Sequence, residues 1–526
     1  MSDSRQSRLM MIGLDACDRD LIDTWCASGD LENIAKLRAE GVWLPLQTTA
    51  DVVHVSAWPS IFTGTPADQH GLYHAYVMQP GHQTPVRPRP DNCPVPFLWK
   101  LLDDHGKRCI VMDAFLTCPL KNFSGIQIVD WGSWTAFWDQ TILPESVKSE
   151  MLARFGAYAS ENHSKVGMTP PPDPVGFRDR LLKSVETKAR AIQWLAETQQ
   201  WDFFLAVFGE CHAAGHYFWH YQDPAYVAYA RDADARLRTA LRDVYVALDR
   251  AIGQMVRFAD DRTTVLVLSG DGMGPNYSGS HLLEELLQRM RLLNDTPREA
   301  TAGAAPASAK RKTNLLSTIR GLVPREFRAA VSRHLLPRSV NERLSLHWKT
   351  AGIDWARTRA FVIENANEGY LRLNLRDREP SGVVQPGAEY AEICDRLAAT
   401  AATMTHPATG RLAASHVYKT DDIFKGPCRS AMPDVIINWD PEALVTTDLQ
   451  TQNYGVIHRD QAAYEVGPFY TGNHRPTAFL GGIGPRLSRA AGAGDASILS
   501  IAPTALAHLG VEPGEHMAAP IIDGLT

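Results

Sequence analysis

Leu9-Met10-Met11-Ile12-Gly13-Leu14-Asp15 is a short apolar run that ends on a carboxylate. A run of this length, closed by a polar residue, predicts a buried strand. Beyond it, Leu21, Ile22, Trp25, Leu31, Ile34 and Leu37 fall at helical spacing between Asp18 and Gly41, so the chain opens strand then helix. The alternation returns where the helical pattern from Phe97 to Leu102 precedes Cys109-Ile110-Val111-Met112-Asp113, and again where an amphipathic stretch from Phe177 to Glu197 precedes Phe203 to Phe208. Val265 to Leu268 is a further apolar run. Repeated alternation of this kind predicts an α/β fold, a doubly wound and mostly parallel central sheet flanked by helices. Such sheets place their chemistry just beyond the carboxyl ends of the strands. The residues that follow the apolar runs are therefore the ones to search.

The chain has 526 residues, long enough for several domains, but the patterning favours one large α/β domain with insertions. Residues 1–276 and 356–526 are assigned to the α/β core, and 277–355 to a helical cap insertion. Within the cap, Thr296 to Lys312 is rich in Ala, Pro and Gly without an apolar period, and reads as a mobile loop. Pro80 to Pro96 is a second loop. A formal net charge of -6 argues against nucleic acid or an anionic membrane surface as partner. The eight cysteines show no CxxC spacing, which points to free thiols in a reducing compartment. The polar residues Met1 to Arg8 lead into too short an apolar run for a signal segment or a membrane span, so a cytoplasmic protein is expected.

His212 and His216 stand four apart directly after the Phe203–Phe208 run, with His220 a further four on. On a helix they share one face, a common way to hold a metal ion through imidazole nitrogens. A chance HxxxH pair is more often packing than ligation, and His220 is read as structural. Asp15 is either a helix N-cap or a metal ligand. Asp271 lies in the Gly-rich turn Ser269-Gly270-Asp271-Gly272, where a flanked Asp is often only a turn residue. His474 in Gly472-Asn473-His474-Arg475 and His54 in His54-Val55-Ser56-Ala57-Trp58 carry no local pattern of their own.

Taken together, these segments resemble the alkaline phosphatase superfamily, and within it the type I phosphodiesterase/nucleotide pyrophosphatase-like group of phosphohydrolases and phosphomutases. The resemblance runs through Ile12 to Asp18, Asn33 to Gly41, Ala57-Trp58, Ser60, Thr63-Gly64, Pro66 and His70-Gly71, then Trp201 to Leu205 and His216 to Trp219. It continues through Ser269, Gly272, Gly274-Pro275, Leu373-Asn374, Arg378 to Gly382, Pro433-Asp434 and Gly472 to Arg475. It covers nearly the whole chain in order. The resemblance implies two metal ions flanking a Ser or Thr nucleophile. One set would fall on His212, His216 and His474, with His212 where the family has Asp. The other would fall on Asp15, on His54 at the nucleophile position, and on Gly270-Asp271 where the family has Asp-His.

Six of the seven site positions keep residue types that bind metals, so the site reads as rebuilt rather than decayed. The expected cofactor is one or two divalent transition-metal ions, zinc first with manganese or iron as alternatives. The metal ligands would be Asp15, His54, His212, His216, Asp271 and His474. An imidazole at 54 cannot act as the family alkoxide does. His54 is read first as a ligand, with metal-bound water attacking the substrate. It could instead be a nucleophile or a general acid/base, or Ser56 or Ser60 could take over. The expected activity is that of a metal-dependent hydrolase acting on a small-molecule phosphate mono- or diester. A non-phosphoryl metalloenzyme and a catalytically silent binding protein are the rivals. Arg378, Arg475 and Lys419 could meet substrate charge, but surface salt bridges explain such residues as well.

Overall fold

The strands at the centre of the molecule are apolar along their length because both of their faces are covered. The computed structural model describes residues 7–89, 93–133, 140–157, 171–294, 352–459, 470–485, 487 and 496–521. In chain order the first strands are β1 (Arg8–Leu14), β2 (Val42–Leu46), β3 (Cys109–Met112), β4 (Ile126–Val129), β5 (Thr141–Leu143), β6 (Phe203–Phe208), β7 (Thr263–Ser269) and β8 (Gly272–Pro275). Then come β9 (Ala360–Ile363), β10 (Gly369–Leu373), β11 (Ala414–Lys419), β12 (Val435–Trp439), β13 (Asp448–Thr451), β14 (Gly455–His458), β15 (Gly472–Arg475) and β16 (Ala478–Ile483).

The main sheet has eight strands in the order β2-β16-β7-β1-β6-β3-β4-β5. The run β7-β1-β6-β3-β4 is parallel, whereas β16 and β5 pair antiparallel with their neighbours. Alternate residues of β1 serve opposite faces. Met10, Ile12 and Leu14 pack with the helices Arg19–Ala27, Glu32–Glu40, Pro174–Thr198, Glu210–Gln222 and Ala240–Val256. Leu9 and Met11 pack with Ala57–Thr63, Leu98–Asp104 and Ile501–His508. The sheet is therefore a helix-flanked α/β core of the alkaline-phosphatase-like kind expected from the sequence. The helical pattern between Asp18 and Gly41 divides into two helices at Gly29, whose φ of 83° suits a residue without a side chain. Among the described residues no helix is long and apolar enough to cross a membrane.

A second sheet, in the order β11-β12-β10-β9 and antiparallel throughout, has a hydrophobic core of its own. The helices Leu283–Arg289 and Ala388–Ala402 contribute Leu283, Leu286, Ile393 and Leu397 to it. Most of the residues assigned to a cap insertion, 295–351, lie outside the described residues, as does the loop near 296–312. Two narrow ribbons, β13 with β14 and β15 with β8, complete the strands.

Beneath the carboxyl ends of β1 and β6 the fold buries a cation. Lys188 is fully buried, and its ammonium donates to the carbonyls of Val207 (2.7 Å) and Gly132 (3.3 Å). It sits 3.4 Å from Asp113 and 3.7 Å from Glu210. Glu210 also accepts from Ser184 at 2.6 Å, and Asp113 from the amides of Trp131 and Gly132. Removing one partner from such a group leaves buried charge uncompensated. Lys188→Ala is expected to lower the free energy of unfolding by about 3–5 kcal/mol in urea titrations. A loss below about 1 kcal/mol, the scale of an exposed pair, would contradict the arrangement.

Candidate metal centre

Register brings the candidate residues to one edge of the sheet. Leu14 at the end of β1 pairs with Phe208 at the end of β6, and Gly13 with Leu268 in β7. Asp15, the helix Glu210–Gln222 and the turn holding Asp271 therefore leave the sheet side by side. His212 and His216 lie one turn apart on that helix. His474 belongs to β15, where it pairs opposite Met273 of β8. A Cβ on Gly472 would lie 2.2 Å from the carbonyl oxygen of Gly215, so only glycine lets β15 lie this close to the helix. Gly13 plays the same part for Trp58, whose ring would meet a Cβ there at 2.5 Å. Trp58 in turn donates its indole N–H to Asp15 Oδ1 at 2.7 Å. His54 opens the turn His54–Ser56, which runs into the helix Ala57–Thr63.

One ring nitrogen each from His212, His216 and His474 lies within 4.8 Å of the others. The Nε2 atoms of His212 and His216 face each other at 2.9 Å. Each ring meets a different partner on its Nδ1 side. His212 Nδ1 is 2.6 Å from Asp15 Oδ2, His216 Nδ1 is 2.8 Å from the Gly472 carbonyl, and His474 Nδ1 is 2.6 Å from Asp271 Oδ2. His54 stands beside this group and outside it, its ring stacked on His474 at 4.3 Å. Its Nδ1 lies 3.0 and 2.9 Å from the two oxygens of Glu368.

The contacts dictate where protons sit. A carbonyl only accepts, so His216 donates from Nδ1 and presents a lone pair at Nε2. His212 must then donate from Nε2, and its Nδ1 turns a lone pair toward Asp15. The 2.6 Å contact with Asp15 therefore needs a proton on the carboxyl or on the ring. Burial pushes the Asp15 carboxyl up to about 6, partly offset by the Trp58 hydrogen bond and the neighbouring His474. Burial, then the charge of Asp15, drives Asp271 well above the ordinary carboxylate range. Burial holds His212 and His216 well below the ordinary histidine value and His474 down at about 4. Glu368 goes the other way: burial opposes its ionisation, but His54 and its hydrogen bonds bring it down to about 2.

These features fit a cation. Neutral imidazoles are good ligands for transition ions, and ring nitrogens are typically fixed by a carboxylate or carbonyl on the far side. Asp271 Oδ1 is buried with no hydrogen-bond partner, a polar atom for which an ion would account. Asp15 and Asp271 each contact an imidazole through Oδ2.

The alternatives weighed for the nucleophile face elsewhere. Ser56 donates to the Val53 carbonyl and contacts the Thr49 hydroxyl, Ser60 contacts His70 at 3.1 Å, and both are fully buried. His220 contacts Thr471 and lies outside the imidazole group. Arg378 pairs with Asp434 and Glu379, Arg475 with Asp20, and Lys419 with Asp395. Sequence reasoning missed Glu368, which lies in the short turn Asn365-Ala366-Asn367-Glu368 ahead of β10. Its only signal is a carboxylate closing a turn-forming stretch before a strand.

The sequence model of the type I phosphodiesterase/nucleotide pyrophosphatase family matches residues 9–464. The chain belongs to this family of phosphoryl hydrolases. No curated protein matches the sequence. Among solved structures it is similar to phosphonoacetate hydrolase from Sinorhizobium meliloti 1021 in complex with phosphonoformate, at 12% identity, 97% and 98% coverage of the two chains and a TM-score of 0.48. It is also similar to murine ectonucleotide pyrophosphatase/phosphodiesterase 5, at 11% identity, 97% and 96% coverage and a TM-score of 0.45. In the structure the rings of His54 and His212 both meet His474, and His212 meets His216.

Titration of the buried histidines sets a pH dependence. His70 is held down at about 3, His220 and His281 at about 4, alongside His212, His216 and His474. These folded values lie below the unfolded one, so the unfolded chain takes up more protons as pH falls through about 6.5. The carboxyls raised by burial, Asp15, Asp18, Asp51, Asp113, Glu210 and Asp271, work in the opposite direction, but only Asp15 and Asp271 are raised strongly. The thermal midpoint of chelator-treated protein is expected to fall from pH 7 to pH 5. A midpoint that rises over this interval would contradict neutral buried imidazoles.

Proposed function

We propose that this chain is a metal-dependent phosphoric ester hydrolase in which His212, His216 and His474 hold a divalent transition-metal ion. Zinc is the first candidate, with manganese and iron as alternatives. The observation that carries the reading is the convergence of three buried imidazoles, each meeting its own oxygen partner through Nδ1. A bound ion supplies Lewis acidity toward a phosphoryl oxygen and brings the pKa of water to about 7.

The chain's own residues do the rest. Asp15, Asp271 and the Gly472 carbonyl fix ring orientation and raise the basicity of the ligating nitrogens. Trp58 holds Asp15 through Oδ1, which leaves Oδ2 for His212. Asp271 Oδ1 is the atom open to a second ion. Arg378, Arg475 and Lys419 are committed to ion pairs, which supports a role for the ion in meeting the negative charge of the substrate. Family membership supports a small-molecule phosphate ester as substrate.

Protein purified without added metal or chelator is expected to carry about one or two ions per chain by elemental analysis, and the His212→Ala, His216→Ala double variant to carry none. Hydrolysis of bis(p-nitrophenyl) phosphate should cease on chelation and return with zinc or manganese. Absence of stoichiometric metal after reconstitution would sink the reading, as would chelator-resistant hydrolysis.

A further inference from the structure

Asn473 joins the strand that carries His474 to the second sheet's side of the molecule. Successive residues of a strand face opposite ways, so His474 meets the other imidazoles while its neighbour points elsewhere. The Asn473 side chain is buried, and all of its polar groups are committed. Nδ2 donates to the carbonyl of Ala366 at 2.9 Å, 107 residues along the chain, and to Asn276 Oδ1 at 3.1 Å. Oδ1 accepts the backbone N–H of His474 at 3.0 Å. A carbonyl only accepts and a backbone N–H only donates, so the two ends of this amide cannot be exchanged. Asn276 is fixed in the same way, its Oδ1 accepting from the Ser278 amide at 3.2 Å and its Nδ2 donating to the Tyr470 carbonyl at 2.8 Å. Ala366 belongs to the turn whose Glu368 accepts the backbone N–H of His54 at 2.8 Å, and Ser278 Oγ donates to the Asn367 carbonyl of that turn at 3.0 Å. One amide therefore ties together the two segments that set His54 and His474, whose rings stack at 4.3 Å.

We infer that Asn473 is a positioning residue of the metal centre, which fixes where the His474 imidazole stands by tying β15 to the turn 365–368. The inference rests on the metal reading above. Asn473 acts through two groups, the backbone N–H of His474 and the carbonyl of Ala366. An aspartate in its place would keep the acceptor for His474 but set a carboxylate oxygen against the Ala366 carbonyl. An alanine would remove both contacts. The second sheet's side of the molecule thereby becomes part of the scaffold that orients a ligand, since a shift of the turn 365–368 moves His54 and the strand of His474 together.

The test uses the full-length protein, with Asn473→Ala and Asn473→Asp compared against wild type. Asn374→Ala serves as the structural control, because it removes a buried amide of the second sheet that donates to the carbonyls of Trp355, Thr358 and Ser381. Zinc affinity is measured by competition with a chromogenic chelator. Both Asn473 variants should bind zinc about 10- to 100-fold more weakly, whereas Asn374→Ala should keep the wild-type affinity even where its thermal midpoint falls as far. With cobalt(II) in place of zinc, the visible absorption bands should move in the Asn473 variants and hold in Asn374→Ala. Wild-type affinity and cobalt bands in Asn473→Ala would overturn the inference. Wild-type affinity in Asn473→Asp would also overturn it, since that variant lacks only the tie to Ala366, and this milder change decides the matter if Asn473→Ala does not fold. Metal-free protein labelled with 15N-histidine separates the inference from the metal reading. There the ring signals of His474 and His54 should shift in both Asn473 variants, while those of His105 and His406 stay in place. A wild type that takes up no zinc would end the metal reading, whereas unchanged His474 signals would end the positioning role.

Discussion

An imidazole shielded from water must place two ring nitrogens, and this protein gathers four such rings at one edge of its sheet. His54, His212, His216 and His474 each meet a separate oxygen partner at Nδ1: Glu368, Asp15, the Gly472 carbonyl and Asp271. These partners come from the turn before β10, the end of β1, the start of β15 and the turn after β7. Packing elsewhere serves to bring them together. Strand register aligns the ends of β1, β6 and β7, and Gly472 lets a ribbon lie against the helix that carries His212 and His216. Gly13 makes room for the indole that steadies Asp15.

Much of this was legible in the sequence, for reasons that differ by element. β1, β6 and β7 could be read because strands covered on both faces are continuous apolar runs, and because sheets of this class put chemistry at their carboxyl ends. The helical spacing of His212 and His216 gave their shared face directly. His474 and Asp271 lacked any local pattern and could be placed only through the family resemblance. The contact between Asp271 and His474 depends on pairing between β8 and β15, which are 203 residues apart at these positions. No periodicity encodes such a contact. The antiparallel second sheet was not legible, since its strands are only four to six residues long and separated by a helix and loops. Glu368 was missed with it. The assignment of Asp15 and Asp271 as ligands came through the same resemblance, and in the structure each contacts an imidazole through Oδ2.

The balance of charge at the site follows from the same geometry. Three carboxylates lie within reach of four imidazoles, but burial raises Asp15 and Asp271 and lowers three of the histidines. Only Glu368 is pushed firmly toward the anion. A cation among the ring nitrogens would displace the proton between the Nε2 atoms of His212 and His216, and the proton between His212 and Asp15 would then sit on Nδ1, leaving Asp15 ionised. The second sheet is joined to this centre through Glu368, so the two hydrophobic cores meet at the chemistry.

The most direct measurement of the central claim is an anomalous difference map from crystals of zinc-loaded protein, collected on either side of the zinc absorption edge. The account requires one strong peak coordinated by ring nitrogens of His212, His216 and His474, with Asp15 and Asp271 still on the Nδ1 side of their histidines. A peak bound by the carboxylates of Asp15 and Asp271 with the imidazoles turned away, or no peak at this edge of the sheet, would contradict it.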